Sequence, residues 1–317
     1  MSVQVDVQPA RAPGRGPGAV LTKSEAVRLV TGLCEQAAVA CADAACPQTP
    51  ARNAVVVLPA AGLVARVSSP ERLPHMRREL LVAAWLAERG IPVGEPAPAP
   101  PYPQAALFEG MAVTWWRYLP GAVKADAPAV CAVLSHIHRL RPALDLLGPF
   151  DPFPTMRGEI EAATGMSEAD REVMRAVADT LAERWRESHW PGDRPVVLHG
   201  DAHGANILQT ALGIRVIDLE DATLGPWQWD LATFLAGREL GWIEDGELEA
   251  AIAAYGRDPR EAREIELLVQ IRLLRMSTLV AAVTARSAHL AEQVRMRVAS
   301  VLDPGLRSGW WWGDWDG

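Results

Sequence analysis

Basic residues are in deficit: 31 Lys and Arg stand against 39 Asp and Glu, a formal net charge of −8. With no cationic surplus to neutralise phosphates, a nucleic-acid partner is not expected. The acidic balance tolerates a cationic small molecule, although net charge says little about any one pocket. Cysteine is also scarce. Cys34, Cys41, Cys46 and Cys131 fit no zinc or redox spacing and are too few for a disulfide scaffold in a chain this long, so inert thiols are expected. No apolar run reaches the roughly 18 residues of a membrane span. "AVVVLPAAGLVA" comes nearest, and Pro59 and Gly62 break it, so no membrane partner is expected. The opening "MSVQVDVQPARAPGRGPG" lacks an apolar core and reads as a flexible tail, which makes a cytoplasmic protein the simplest expectation. There is no internal repeat, no Walker loop and no G-x-G-x-x-G.

What is present is ordinary globular material, 49% hydrophobic and 22% charged over 317 residues, enough for two domains. Residues 19–46 have helical periodicity. "PQTPARNAVVVLPAAGLVARVS" reads as two short strands around a turn at Pro59–Gly62. "HMRRELLVAAWLAERG" reads as a helix closing on Gly90, and "AALFEGMAVTWWRYLPG" as a hairpin of strands ending at Pro120–Gly121. Beyond that point the pattern is mainly helical. In "APAVCAVLSHIHRL", Val130, Val133, Leu134, Ile137 and Leu140 share one face. Ser167 opens a helix over "SEADREVMRAVADTLAERW", "QWDLATFLAGREL" is helical, and residues 259–303, with no Pro after Pro259, suggest a helical pair. The expected layout is α+β: a flexible tail 1–18, a small sheet lobe 19–118 including a hinge strand, a helical lobe 119–306, and a Trp-rich tail 307–317.

Chemistry concentrates in "VLHGDAHGANIL" and "RVIDLEDATLGP". Each follows a buried-strand pattern with polar residues that are costly to bury without partners. Asp201 and Asn206 are five apart, and Asp218 follows 17 after Asp201. This is the spacing logic of the kinase catalytic loop, in which an Asp receives the acceptor's hydroxyl proton, an Asn holds magnesium, and a later Asp holds the metal that bridges the phosphates. Magnesium takes hard oxygen ligands, which Asn206 and Asp218 supply. Asp201 is then left as general base.

"LHGDAHGANIL" with "VIDLEDATLGPWQWDLA" resembles the signature of the aminoglycoside phosphotransferase-like family, which is related to choline kinases and distantly to protein kinases. The likeness extends over about residues 45–240. "GLVARVS" is similar to the family's strand ending in a basic residue, "RRELLVAAWLAERGIPV" to the following helix with its acid, "WWRYLPG" to the hinge, and "LSHIHRL" to a Leu-x-x-x-His helix. The resemblance implies a two-lobed protein-kinase-like fold and Mg²⁺-dependent transfer of the γ-phosphate of ATP or GTP to a hydroxylated small molecule, an aminoglycoside or other antibiotic being one class of acceptor. It implies that Arg66 touches the nucleotide phosphates and pairs with Glu79, that Asn53 belongs to the nucleotide loop, and that residues 116–119 (Trp116, Arg117 and Leu119 among them) present backbone groups to the purine. Asp230 would brace the catalytic loop by accepting backbone N–H bonds. Two departures stand out. The nucleotide loop lacks the glycines of a protein-kinase lid, and Arg66 takes the place of a Lys, a fork instead of a point charge.

Other readings stand beside these. His199 suits a buried, hydrogen-bonded residue supporting the loop, and His203 a contact to Asp201 or to the acceptor. Glu220 and Asp221 suit pairing or loop capping better than a metal site. His136 and His138 suit packing. The acids of "GWIEDGELEA" suit a helix start. A catalytically silent, nucleotide-binding or regulatory relative is the alternative function, against which the complete Asp201, Asn206 and Asp218 set counts. His199, Asp201 and His203 as iron ligands would leave Asn206 and Asp218 without a role.

Overall fold

The computed structural model describes residues 21–48, 53–97, 103–163, 166–188, 194–281, 288–307 and 310. The expected N-terminal tail and nearly all of the Trp-rich tail lie outside them. Two compact units divide the chain.

The first unit takes in described residues up to Trp85 together with Val93–Ala122. Its helix α1 (Lys23–Gln36) starts at a capping box, in which the Thr22 hydroxyl accepts from the Glu25 N–H and the Glu25 carboxylate accepts from the Thr22 N–H. The helix ends ten residues before the periodicity does. Ala38 turns to φ +54, and Ala45 instead exchanges two backbone hydrogen bonds with Val57. Long-range pairing here overrides a local preference worth only tenths of a kcal/mol per residue. Strands β1 (Ala54–Leu58) and β2 (Leu63–Ser68) form the expected pair around Pro59–Gly62, followed by α2 (Leu73–Ala87). Strands β3 (Ala105–Phe108) and β4 (Met111–Arg117) are joined through Glu109 and Gly110, both at positive φ. That geometry matches the twist of a tight hairpin. The antiparallel sheet runs β1-β2-β4-β3. Its core joins Leu29, Val30 and Leu33 of α1 to Val56, Val67 and Trp115. Trp115, 2% exposed, is a packing residue.

The second unit holds Leu86–Pro92 and Val123 onward. After the short β5 (Val123–Lys124) come α3 (Ala127–Ile137), α4 (Phe153–Ala162) and α5 (Glu168–Glu187). Val130, Val133, Leu134 and Ile137 of α3 are buried as their spacing requires, and Ser167 caps α5. Strands β6 (Val196–Leu198) and β9 (Thr223–Gly225) pair, while β7 (Ile207–Thr210) and β8 (Gly213–Val216) form a hairpin with β5 on its edge. Helices α6 (Gln228–Glu239), α7 (Asp245–Tyr255), α8 (Ile265–Ala281) and α9 (Ala288–Leu302) complete it, the last two being the expected pair. The acids of α7 are used internally: Asp245 pairs with Arg238, Glu249 with Arg260, and Glu247 accepts from the Ala127 N–H.

The cysteines are free thiols. Burial, with a smaller contribution from Cys41, pushes Cys34 up to about 11, and burial with the nearby Asp230 charge pushes Cys131 up to about 12. Both thiols are therefore inert at neutral pH. Among the described residues no helix is long and apolar enough to cross a membrane.

Replacing Trp115 by Ala empties the core of the first unit and should cost about 3–5 kcal/mol. Urea denaturation reads this as a lowered midpoint, and a loss under about 1 kcal/mol would show that the side chain does not hold that core.

Candidate active site

β6 delivers the site. After Leu198 the chain must turn at once, and it does so at Gly200, φ +89. A Cβ there would also come within 2.1 Å of the Asp221 carbonyl oxygen, so glycine is required twice over. Four residues on, a Cβ on Gly204 would lie 2.3 Å from the Ala125 carbonyl oxygen. The His203 carbonyl accepts from the Asn206 and Ile207 N–H groups, closing the loop before β7 begins.

Asp230, in the first turn of α6 and 1% exposed, holds this loop. Its Oδ2 accepts from the His199 N–H at 2.8 Å and its Oδ1 from the Gly200 N–H at 2.9 Å. His138 Nε2 lies 3.0 Å from the same Oδ2, and its Nδ1 lies 2.8 Å from the Tyr255 hydroxyl. Burial raises the Asp230 carboxyl. The His138 hydrogen bond and charge, then His199, more than offset it and hold the group below its ordinary range. Trp229 Nε1 donates to the Gly200 carbonyl at 2.8 Å.

His199 is committed on both ring nitrogens. Nδ1 accepts from the Asp201 N–H at 3.3 Å, and Nε2 faces the Ile217 carbonyl at 3.0 Å, which assigns the ring proton to Nε2. A ring used up in this way has no lone pair for iron. No group of three His, Cys, Asp or Glu side chains suited to a metal occurs among the described residues. The iron arrangement is therefore absent, and His199 is buried with both ring nitrogens bonded to nearby backbone.

Asp201 and Asn206 meet. Asn206 Nδ2 donates to the Asp201 backbone carbonyl at 3.0 Å and lies 3.4 Å from Asp201 Oδ2 and 3.3 Å from His203 Nε2. Two oxygens facing Nδ2 fix the amide orientation, which leaves Oδ1 uncommitted among the described residues. His203 Nδ1 accepts from the Ala205 N–H, and its Nε2 is 3.6 Å from Asp201 Oδ2. The hairpin then brings in Asp218: β7 and β8 pair Ile207 with Val216, and the Ile217 N–H donates to the Asn206 carbonyl at 2.9 Å. Asn206 and Asp218 thus flank one end of one ladder. Asp218 sits at φ 57, ψ 59, a left-handed conformation costing about 1–2 kcal/mol in a residue other than glycine. Strain of this kind collects at functional positions.

One partner escapes a reading of the sequence. Arg272 of α8, 3% exposed, places Nη2 2.7 Å from Asp201 Oδ1 and Nη1 3.2 Å from the Gly200 carbonyl. The protein around Asp201 raises its carboxyl, but Arg272, then His203 and His199, hold it well below the ordinary range. The Asp201 side chain is 38% exposed, so water screens part of each contribution. A charge such as Arg272 inside the apolar run "LLVQIRLL" signals that an acid must pair with it. Which acid does so depends on the fold. Similarly, His138 is buried and bonded to Asp230, whereas His136 is exposed. Asp221 lies 3.5 Å from Arg275, a pairing of the expected kind.

In the first unit, Arg66 Nη1 meets Glu79 Oε1 at 2.5 Å, with the two side chains 11% and 1% exposed. Asn53 lies half-buried directly before β1. Trp116 Nε1 donates to the Thr114 hydroxyl. Of the residue 116–119 backbone, the Arg117 N–H donates to the Glu95 carbonyl and the Tyr118 N–H to the Gly62 carbonyl. The Leu119 N–H is left without a partner among the described residues.

A model of the phosphotransferase enzyme family matches residues 50–265, well over half of the sequence. The chain belongs to the phosphotransferase enzyme family. Membership makes it a small-molecule phosphotransferase. Solved structures agree on its fold. Amicoumacin kinase hAmiN, in complex with AMP-PNP, Ca²⁺ and Ami, is 13% identical, with 90% of this chain and 97% of that chain covered at a TM-score of 0.68. A microcompartment-associated aminopropanol kinase is 19% identical, covering 86% and 94% at 0.63. Aminoglycoside phosphotransferase APH(3'')-Id from Streptomyces rimosus is 19% identical, covering 80% and 98% at 0.60. At such identities the likeness is one of fold: the protein-kinase-like α+β arrangement, with a small antiparallel sheet and a larger helical part. No curated protein matches the sequence.

Asp230→Ala leaves two buried loop N–H groups and His138 without their acceptor and should destabilise the protein by about 3–5 kcal/mol at pH 7. Because the folded carboxyl is held low, its stabilisation is complete above pH ~4, the unfolded value. It fades as pH falls through the lowered one. The urea midpoints of wild type and Asp230→Asn should therefore converge below pH ~4; a gap that stays constant on acidification would contradict the charged brace.

Proposed function

We propose that the chain transfers the γ-phosphoryl group of ATP, or of GTP, to a hydroxyl of a small-molecule acceptor with Mg²⁺. The observation that carries this is the joining of Asp201, Asn206 and Asp218 by one loop and one hairpin. The residues fit the ion. Asn206 Oδ1 and the Asp218 carboxylate are hard oxygens brought to the same end of the β7–β8 hairpin, and such an ion takes its remaining ligands from phosphates and water. Magnesium, when bound, supplies neutralisation of the phosphate charge. Arg66, held by Glu79, would face the phosphates, and Asn53, Trp116, Arg117 and Leu119 would contribute to the nucleotide site. Leu119 offers an N–H that has no partner among the described residues.

In the transfer the acceptor oxygen forms a bond to Pγ, the bond from Pγ to the β–γ bridging oxygen breaks, and the nucleoside diphosphate leaves. Asp201 orients the hydroxyl and receives its proton. A carboxylate held this low is a weak base, so the proton moves late, once the forming O–P bond has made the hydroxyl acidic. His203 would hold the far side of Asp201, and His199 and Asp230 would keep the loop in place. Structural relatives named for amicoumacin, aminopropanol and an aminoglycoside make hydroxylated small molecules, antibiotics among them, the acceptors to screen first.

The test is nucleotide consumption over a panel of such acceptors. Asp201→Asn should lower transfer by at least about 10² while Mg-ATP binding persists; a variant keeping most of its activity removes Asp201 from the base position. Asp218→Ala should weaken Mg²⁺-dependent nucleotide binding, and unchanged magnesium dependence removes it from the ion site. Nucleotide binding without turnover of any acceptor would favour the silent relative.

A further inference from the structure

We infer that Arg272 is a positioning residue of the transfer reaction, which grips one oxygen of Asp201 and so turns the other toward the acceptor hydroxyl. The inference rests on the phosphotransfer reading. Arg272 lies outside the residues that the family model matches. It is almost fully buried on a helix where Leu268, Val269, Ile271, Leu273 and Leu274 are buried too.

A guanidinium placed there only for stability would be a poor choice, since burying a charge pair commonly gains nothing over apolar packing. Its donors are also divided in an uneconomical way. A fork-to-fork pair would engage both Asp201 oxygens. Arg272 instead gives Nη2 to Oδ1 and Nη1 to the Gly200 carbonyl, stands 5.2 Å over the Trp229 ring, and leaves Nε buried with no hydrogen bond among the described residues. The outcome of this division is specific. The carboxylate is fixed to the backbone one residue before it, and Oδ2 keeps only the longer approaches of Asn206 Nδ2 and His203 Nε2. That oxygen is the one available to a hydroxyl. The charged and titratable groups facing Asp201 are Arg272 from α8 and His199 and His203 from its own loop, so Arg272 is the one permanent cation among them.

The test uses the full chain, with Mg-ATP or Mg-GTP and whichever panel acceptor it consumes. Arg272→Met should lower kcat by about 10² and Arg272→Lys, which keeps the charge but not the fork, by about tenfold, with the KM for nucleotide unchanged in both. Because Arg272 acts through Asp201, Arg272→Met combined with Asp201→Asn should lose no more than Asp201→Asn alone. A folded Arg272→Met with wild-type kcat overturns the inference, as do losses that multiply in the double variant. If Arg272→Met does not fold, Arg272→Lys decides: wild-type kcat overturns the inference, and a lowered kcat with unchanged nucleotide KM supports it. A wild type that consumes neither nucleotide with any acceptor defeats the phosphotransfer reading itself, a failure distinct from active wild type with indifferent Arg272 variants.

Discussion

Two consecutive backbone N–H groups, those of His199 and Gly200, end on the two oxygens of one buried carboxylate. Everything in the second unit that bears on chemistry follows from that fixture. Asp230 belongs to α6, its other partner His138 to the end of α3, and the Tyr255 that holds His138 to α7. Three helices therefore meet at the carboxylate on which the loop is hung. A loop hydrogen-bonded only to itself would sample many shapes. Hung on a helix it takes one, at the cost of burying a charge that His138 and two amides stabilise.

The loop then passes its order along. Gly200 permits the abrupt turn, Asn206 is tied to the Asp201 carbonyl, and the β7–β8 hairpin returns the chain so that Asp218 follows directly on a residue bonded to Asn206. Two consequences oppose each other at Asp201. The cation beside it holds its carboxyl below the ordinary range, which in the proposed reaction would suit a group that orients a hydroxyl. The same cation weakens it as a base. Phosphoryl transfer through a loose transition state tolerates this compromise, because the hydroxyl needs little deprotonation before the bond to phosphorus forms. The left-handed backbone of Asp218 marks where the fold carries strain beside the site, and the glycine at position 200 is where it avoids it.

Much of this was legible in the sequence, for identifiable reasons. Short apolar runs followed by clustered acids and an amide mark strands that end in a site, and the spacing of Asp201, Asn206 and Asp218 is local enough to survive without coordinates. The α3 face, the Ser167 cap and the turn at Pro59–Gly62 rest on contacts within a few residues. What could not be read depends on distance along the chain. α1 stops at Gln36 because Ala45 pairs with Val57. α4 carries Pro154 and Gly158 within its own span, which hides its periodicity. Arg272 announces that it needs an acid, yet 71 residues separate it from Asp201, and no periodicity reports such a pairing. The backbone donors of Arg117 and Tyr118, expected to face a purine, are taken by Glu95 and Gly62 for the same reason.

The central claim is that Asn206 and Asp218 form half of an ion site that only a nucleotide's phosphates complete. Mn²⁺ binding followed by electron paramagnetic resonance, with and without a non-hydrolysable ATP analogue, tests it most directly. The account predicts one tightly held Mn²⁺ per chain that appears only with the nucleotide and is lost in an Asn206→Ala, Asp218→Ala variant. Tight Mn²⁺ binding without nucleotide, or binding indifferent to those two substitutions, would contradict it.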